Sequence, residues 1–164
     1  MTKKAMTSIK KVDQHPPTAQ FLWGLLCSLS SIDQERNNVS LFNIVEEIGI
    51  PQEIFKQEGK KVIPFVFEIV MLLRRIVSST VDDREITTDI EVALVDPEEK
   101  ELKKIIAPVK FQKGIQRNRL RIRFNTLDIT VPGNYGFRIS VKNSEGFLKH
   151  VGTIPLEVKP RPFK

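Results

Sequence analysis

Arg117, Arg119, Arg121 and Arg123 stand at every second position of one short segment, and Lys113 extends its basic character. Guanidinium groups at that spacing would share one face of a strand. There they would offer a row of fork-shaped donors suited to carboxylates or phosphates. No aromatic residue interleaves them, so base stacking is not indicated. Two readings stay open. In the simpler one the arginines form a solvated strand face and pair with Asp89 and Glu91 on a neighbouring strand. In the functional one they contact an anion, a nucleic acid or a partner protein.

The other reactive residues do not assemble into a catalytic set. The two histidines, His15 and His150, lie far apart in sequence, and neither has an adjacent nucleophile. Cys27 is the single cysteine and sits among Leu25, Leu26 and Leu29. It reads as a small packed apolar residue, with no nearby cation to lower its pKa. One cysteine cannot close an internal disulfide or build a thiolate zinc site. Asp82, Asp83 and Asp96 lie near loops, as calcium ligands do, but calcium needs about six to eight converging oxygens. Glu58-Gly59-Lys60-Lys61 lacks the first glycine and the spacing of a phosphate loop. The sequence therefore predicts no catalytic, metal or cofactor site, and a domain that is not an enzyme.

Charge is placed unevenly. Of the net +6, half comes from residues 1–17 and half from residues 159–164, leaving residues 18–158 neutral. A nucleic-acid-binding body usually carries its own basic face. The neutral body is nevertheless polarised: residues 18–102 hold 8 Lys/Arg against 16 Asp/Glu, and residues 103–158 hold 11 against 3. Early and late strands lying side by side would cancel this difference. A dipolar surface that favours head-to-tail association or an acidic partner is the sharper reading.

The elements that must position these residues are strands. In the segment opening at Phe21, that residue shares its parity with Trp23, Leu25, Cys27 and Leu29, which predicts one common face, with Leu22 and Leu26 on the other. A polar break at residues 33–38 and a return from Val39 suggest a hairpin. Residues 52–61 read as a charged loop with room for one helical turn. Ile63, Phe65, Phe67, Ile69, Met71 and Leu73 alternate cleanly. Ile86, Thr88, Ile90, Val92 and Leu94 alternate against Thr87, Asp89 and Glu91. Asp96-Pro97 opens a type I turn, and strands follow near residues 105–111, 119–124, 135–141 and 147–158. About eight strands with turn signals between them, and no helix-period segment, predict an all-β, two-sheet antiparallel β-sandwich. The expected organisation is a flexible basic arm at 1–17, a sandwich domain at 18–158 and a basic C-terminal tail at 159–164.

Val131-Pro132-Gly133-x-Tyr135-x-Phe137-x-Ile139 resembles the penultimate-strand pattern of immunoglobulin-like sandwiches. That resemblance implies a buried tyrosine whose hydroxyl bonds nearby backbone. It supports an architecture and not an activity. Leu26-Cys27, the Val39–Ile48 return, Val95-Asp96-Pro97 and the Pro132–Phe137 strand together resemble a family of small uncharacterised bacterial proteins. The likeness implies a β-sandwich in a cytoplasmic setting and brings no activity with it.

The expected function is a non-enzymatic protein-interaction module. The alternative is a polyanion-binding accessory protein that uses its basic tails and the Arg119/Arg121/Arg123 face. A carbohydrate-binding sandwich is disfavoured, because the single Trp and single Tyr both fall in apolar patterns. No apolar run is long enough to span a bilayer as a helix, and a cytoplasmic location is expected.

Overall fold

The computed structural model describes residues 16–33, 38–76 and 84–162. Met1–His15, with His15 and four of the arm's lysines, and also Asp82 and Asp83, lie outside the described residues. The chain forms β1 (Ala19–Asp33), β2 (Asn38–Ile44), β3 (Glu47–Pro51), a single helical turn α1 (Gln52–Phe55), β4 (Lys61–Arg75), β5 (Ile86–Val95), β6 (Glu101–Phe111), β7 (Arg117–Ile129), β8 (Gly133–Lys142) and β9 (Leu148–Arg161). These strands make a four-stranded sheet in the order β2-β1-β4-β7 and a five-stranded sheet in the order β3-β9-β8-β5-β6. The two pack over one apolar core, as the alternating patterns predict. Nine strands are described, and one pairing departs from the antiparallel expectation: β3 runs parallel to β9.

The core is aromatic at its centre. Phe67 of β4 stacks on Phe124 of β7 at 4.8 Å, and Phe137 of β8 meets Phe67 edge-on at 5.7 Å from the opposite sheet. Phe67 and Phe137 are 1% exposed and Phe124 5%, and each such burial is worth roughly 1.5–3 kcal/mol.

In β1 the phase differs from the expected one. The ladder to β4 shifts between Phe21 and Trp23. This bulge at Leu22 inserts one residue and reverses the faces beyond it. Phe21 pairs with Leu73 on the inner side, followed by Gly24 with Met71 and Leu26 with Ile69. Trp23, Leu25, Cys27 and Leu29 point outward instead.

The C-terminal boundary also differs. Lys159, Pro160 and Arg161 are not a tail but the end of β9, laddered to Gly49, Ile50 and Pro51. Lys159 binds Glu47 at 2.7 Å and Glu157 at 3.0 Å. Hydrogen bonding to Glu47 and Glu157 holds its ammonium above the ordinary range, and the same contact to Lys159 holds the Glu47 carboxyl below its own.

One joint ties the sheets together. Asp96, 2% exposed in the β5–β6 turn, accepts the amides of Glu98 and Lys100 at 2.9 Å each and the Thr130 hydroxyl at 2.7 Å, just beyond β7. Burial alone would raise its pKa, but the bonds from Thr130, Lys100 and Glu98, together with the Lys100 charge, outweigh it and leave the carboxyl lowered. Beside it, the Tyr135 hydroxyl donates to the Val131 carbonyl at 2.6 Å and accepts the Thr130 amide at 2.9 Å, the backbone bonding that the Pro-Gly-x-Tyr pattern implied. Gly133 has φ 140°, and a β-carbon there would come within 2.9 Å of the Pro97 ring, so this corner requires glycine.

Candidate partner-binding face

Cross-strand partners share a face, so the register places the arginines on the outer side of the four-stranded sheet. Successive rungs read Gln20–Arg74–Arg117, Trp23–Leu72–Arg119, Leu25–Val70–Arg121 and Cys27–Glu68–Arg123 across β1, β4 and β7. The expected pairing with Asp89 and Glu91 does not occur. Both belong to β5 in the other sheet, where Asp89 binds Lys142 at 2.6 Å and Glu91 binds Lys104 at 3.6 Å. Arg117, Arg121 and Arg123 are exposed and form no ion pair among the described residues. Arg74 bonds the neutral Gln20 at 2.7 Å.

The one acid on these rungs is committed elsewhere. Glu68 is 3% exposed, and its Oε2 accepts both the Ser30 amide at 2.8 Å and the Ser30 hydroxyl at 2.5 Å. The β1–β4 ladder ends at the Cys27–Glu68 pair, so this carboxylate takes over where the strand ladder stops. Arg121 reaches over β4 toward β1, with Nη1 3.5 Å from the Ser30 carbonyl. Val70 and Cys27 point outward yet are 0% exposed, so the longer side chains around them roof the middle of the face.

Apolar residues continue the face beyond β4. Leu29 is 54% exposed, Phe42 50%, Ile44 51% and Leu25 36%. Leu29 pairs with Phe42, and Cys27 with Ile44, across β1 and β2. With strands about 4.8 Å apart, this apolar patch begins roughly 10 Å from the arginine row. Single exposed apolar residues are ordinary, but a contiguous set beside a basic row has the composition of an interaction surface. The half-buried Trp23 lies on the same face. Sequence parity linked Trp23, Leu25 and Leu29 but assigned them to a buried strand. The continuation onto β2 depends on pairing that the alternation of each strand alone does not encode.

Other candidates lead away from catalysis. His150 is exposed on β9, and among the described residues its hydrogen-bond partner is the Thr153 hydroxyl, at 3.5 Å. It lines a shallow depression of about 570 Å³ on the five-stranded sheet with Glu91, Glu101 and Arg138, and those three are engaged in ion pairs. The Cys27 thiol is buried, and burial, then the nearby Glu68 charge, raises its pKa, which leaves it a poor nucleophile. Asp96 spends its oxygens on the turn and on Thr130. Among the described residues no three metal-binding side chains converge, and no helix is long and apolar enough to cross a membrane. No protein-family model matches the chain, and no curated protein matches it.

Proposed function

We propose that this domain is a non-enzymatic binding module that takes an acidic protein partner on the outer face of its four-stranded sheet. The observation that carries the reading is the exposed set Arg117, Arg121 and Arg123 on β7, which meets no acid among the described residues, while Glu68, the acid on these rungs, is hydrogen-bonded to Ser30. The exposed Leu25, Leu29, Phe42 and Ile44 beside it favour a protein over a bare polyanion, since they add apolar contact that a phosphate backbone does not use. Trp23 and the arginines are the residue types that most often anchor such contacts. The polyanion alternative is weakened at the C-terminal end, because Lys159 and Arg161 pair with Glu47.

The tyrosine-corner bonds and the two-sheet topology support reading the sandwich as immunoglobulin-like. The same corner and the opening hairpin support kinship with the small bacterial proteins it resembles. A lone, buried cysteine suits a reducing, cytoplasmic setting.

The test is a fluorescence titration that uses Trp23, the only tryptophan, as the reporter on the face itself. A Glu- and Leu-rich peptide is compared with a single-stranded oligonucleotide, in the natural chain and in Arg121→Glu/Arg123→Glu. The reading expects the peptide to bind and the double variant to lose roughly a hundredfold in affinity, about 2.7 kcal/mol. Equal binding by the variant removes the arginines from the site. Oligonucleotide binding that exceeds peptide binding transfers the face to nucleic acid.

A further inference from the structure

The four-stranded sheet forks. Residues 19–27 of β1 are laddered to β4, but residues 28–33 pair only with β2 among the described residues. Residues 61–67 of β4 pair only with β7. Beyond the Glu68 clasp, β1 and β2 therefore run on as a two-stranded ribbon. A ribbon of two strands is marginal in water, and three or more strands are usually needed for independent stability. Its residues Leu29 and Phe42 are each at least half exposed.

The four sheet edges among the described residues are protected unequally. Strand β6 carries Lys103, Lys104 and Lys110 along its edge, with Pro108 in its interior. Strand β7 bears the arginine row and is joined to β6 by Asn118, whose amide donates to the Lys110 carbonyl at 2.7 Å, and by Lys103, which donates to the Thr126 hydroxyl at 3.3 Å. Strand β3 is five residues long and ends in Pro51. Strand β2, with the sequence Asn-Val-Ser-Leu-Phe-Asn-Ile, has no charge and no proline. Its only irregularity is Asn43, at φ 51° near its end. Charges, prolines and short length are the devices by which proteins keep edges from pairing, and β2 lacks them over Asn38–Phe42.

We infer that β2 pairs antiparallel with β2 of a second copy of this chain. Such pairing about a two-fold axis near Ser40 and Leu41 is self-complementary. It converts two marginal ribbons into one four-stranded unit, β1-β2-β2-β1. It also sets the Phe42 side chains of the two copies on one face, beside both Leu29 residues. Charge does not oppose a like copy at this strand, because β2 is uncharged over all seven residues and lies at the edge opposite the arginine row. The inference uses the edge of the sheet and not the arginine row, although Leu29 and Phe42 belong to both surfaces.

The experiment is sedimentation velocity on the full chain over a wide concentration range, with Ser40→Lys/Phe42→Lys beside it and Ile106→Lys on β6 as control. Both substituted β2 positions are exposed, so the fold is expected to survive, and thermal melting checks this. The expected result is a dimer that dissociates on dilution. Its dissociation constant should rise at least roughly tenfold in the β2 variant and stay unchanged in the β6 variant. In a second variant, Ser40→Cys, mild oxidation should yield a covalent dimer, because the native Cys27 is buried. A natural chain that is monomeric throughout overturns the inference and leaves the edge for a strand of another protein. A dimer that is insensitive to the β2 lysines, or an oxidised Ser40→Cys variant that stays monomeric, also overturns it.

Discussion

On the outer face of the five-stranded sheet, basic residues meet acids a strand away or across a turn. Lys142 holds Asp89, Lys104 holds Glu91 and Glu101, Lys110 holds Glu85 and Arg138 holds Glu99. On the outer face of the four-stranded sheet the basic residues are as regularly spaced, but they stand opposite Arg74, Leu72, Val70 and a Glu68 already engaged. Both patterns look alike in sequence. An alternating charged strand reveals that one of its faces is wet, while the identity of the neighbouring strand decides whether the charge is cancelled or left for a partner. The −8 and +8 halves of the body are thus only partly neutralised by folding. The acids of β5 are matched by lysines of β6 and β8, while Arg117, Arg121 and Arg123 of β7 form no ion pair among the described residues.

Substitutions at three positions probe this contrast. The largest effect is expected at the joint between the sheets. Asp96→Ala removes the acceptor for two amides and the Thr130 hydroxyl, and should cost about 3 kcal/mol in urea unfolding. The folded Asp96 carboxyl lies below its ordinary value. Its contribution is therefore present above the unfolded pKa of about 3.9 and is lost as pH falls through the lower folded value. Asp96→Asn should flatten that acid limb, and an unchanged limb would assign acid sensitivity to another carboxylate.

The second effect is smaller and sharpens the comparison. Glu68→Gln replaces the charged acceptor of the Ser30 amide and hydroxyl with a neutral one, and should cost about 1–2 kcal/mol. Because Glu68 is the one acid on the arginine rungs, acidic-peptide affinity should hold or rise. A fall in affinity would mean that the Glu68 clasp, and the ribbon it anchors, form part of the binding surface. The smallest effect belongs to the matched face. Lys142→Ala breaks a partly exposed ion pair and should shift stability by less than about 1 kcal/mol, with peptide affinity unchanged.

Much of this fold is legible in the sequence. Ile86 to Leu94 and Tyr135 to Val141 alternate without interruption, and both strands bury the predicted side. Tyr135 is buried, and its hydroxyl bonds the Val131 and Thr130 backbone, as the resemblance implied. What escapes is non-local. The bulge at Leu22 leaves the apolar run unbroken in composition and still reverses its faces, so Trp23, Leu25 and Leu29 read as core when they point to solvent. Lys159-Pro160-Arg161 has the composition of a tail, and only the parallel partner at Gly49–Pro51, more than a hundred residues earlier, draws it into a strand. The arginine row was found from spacing alone, but that it does not meet Asp89 and Glu91 depends on which sheet β5 joins.

Amide chemical-shift mapping distinguishes the two outer faces. The 15N-labelled chain is titrated with the acidic amphipathic peptide at moderate salt. Shifts are expected at Trp23–Leu29 of β1, Leu72–Arg74 of β4 and Arg117–Arg123 of β7, with Asp89, Glu91, Lys104 and Lys142 unmoved. Shifts centred on the five-stranded face, or spread evenly over both, would mean that the arginine face is not the binding surface.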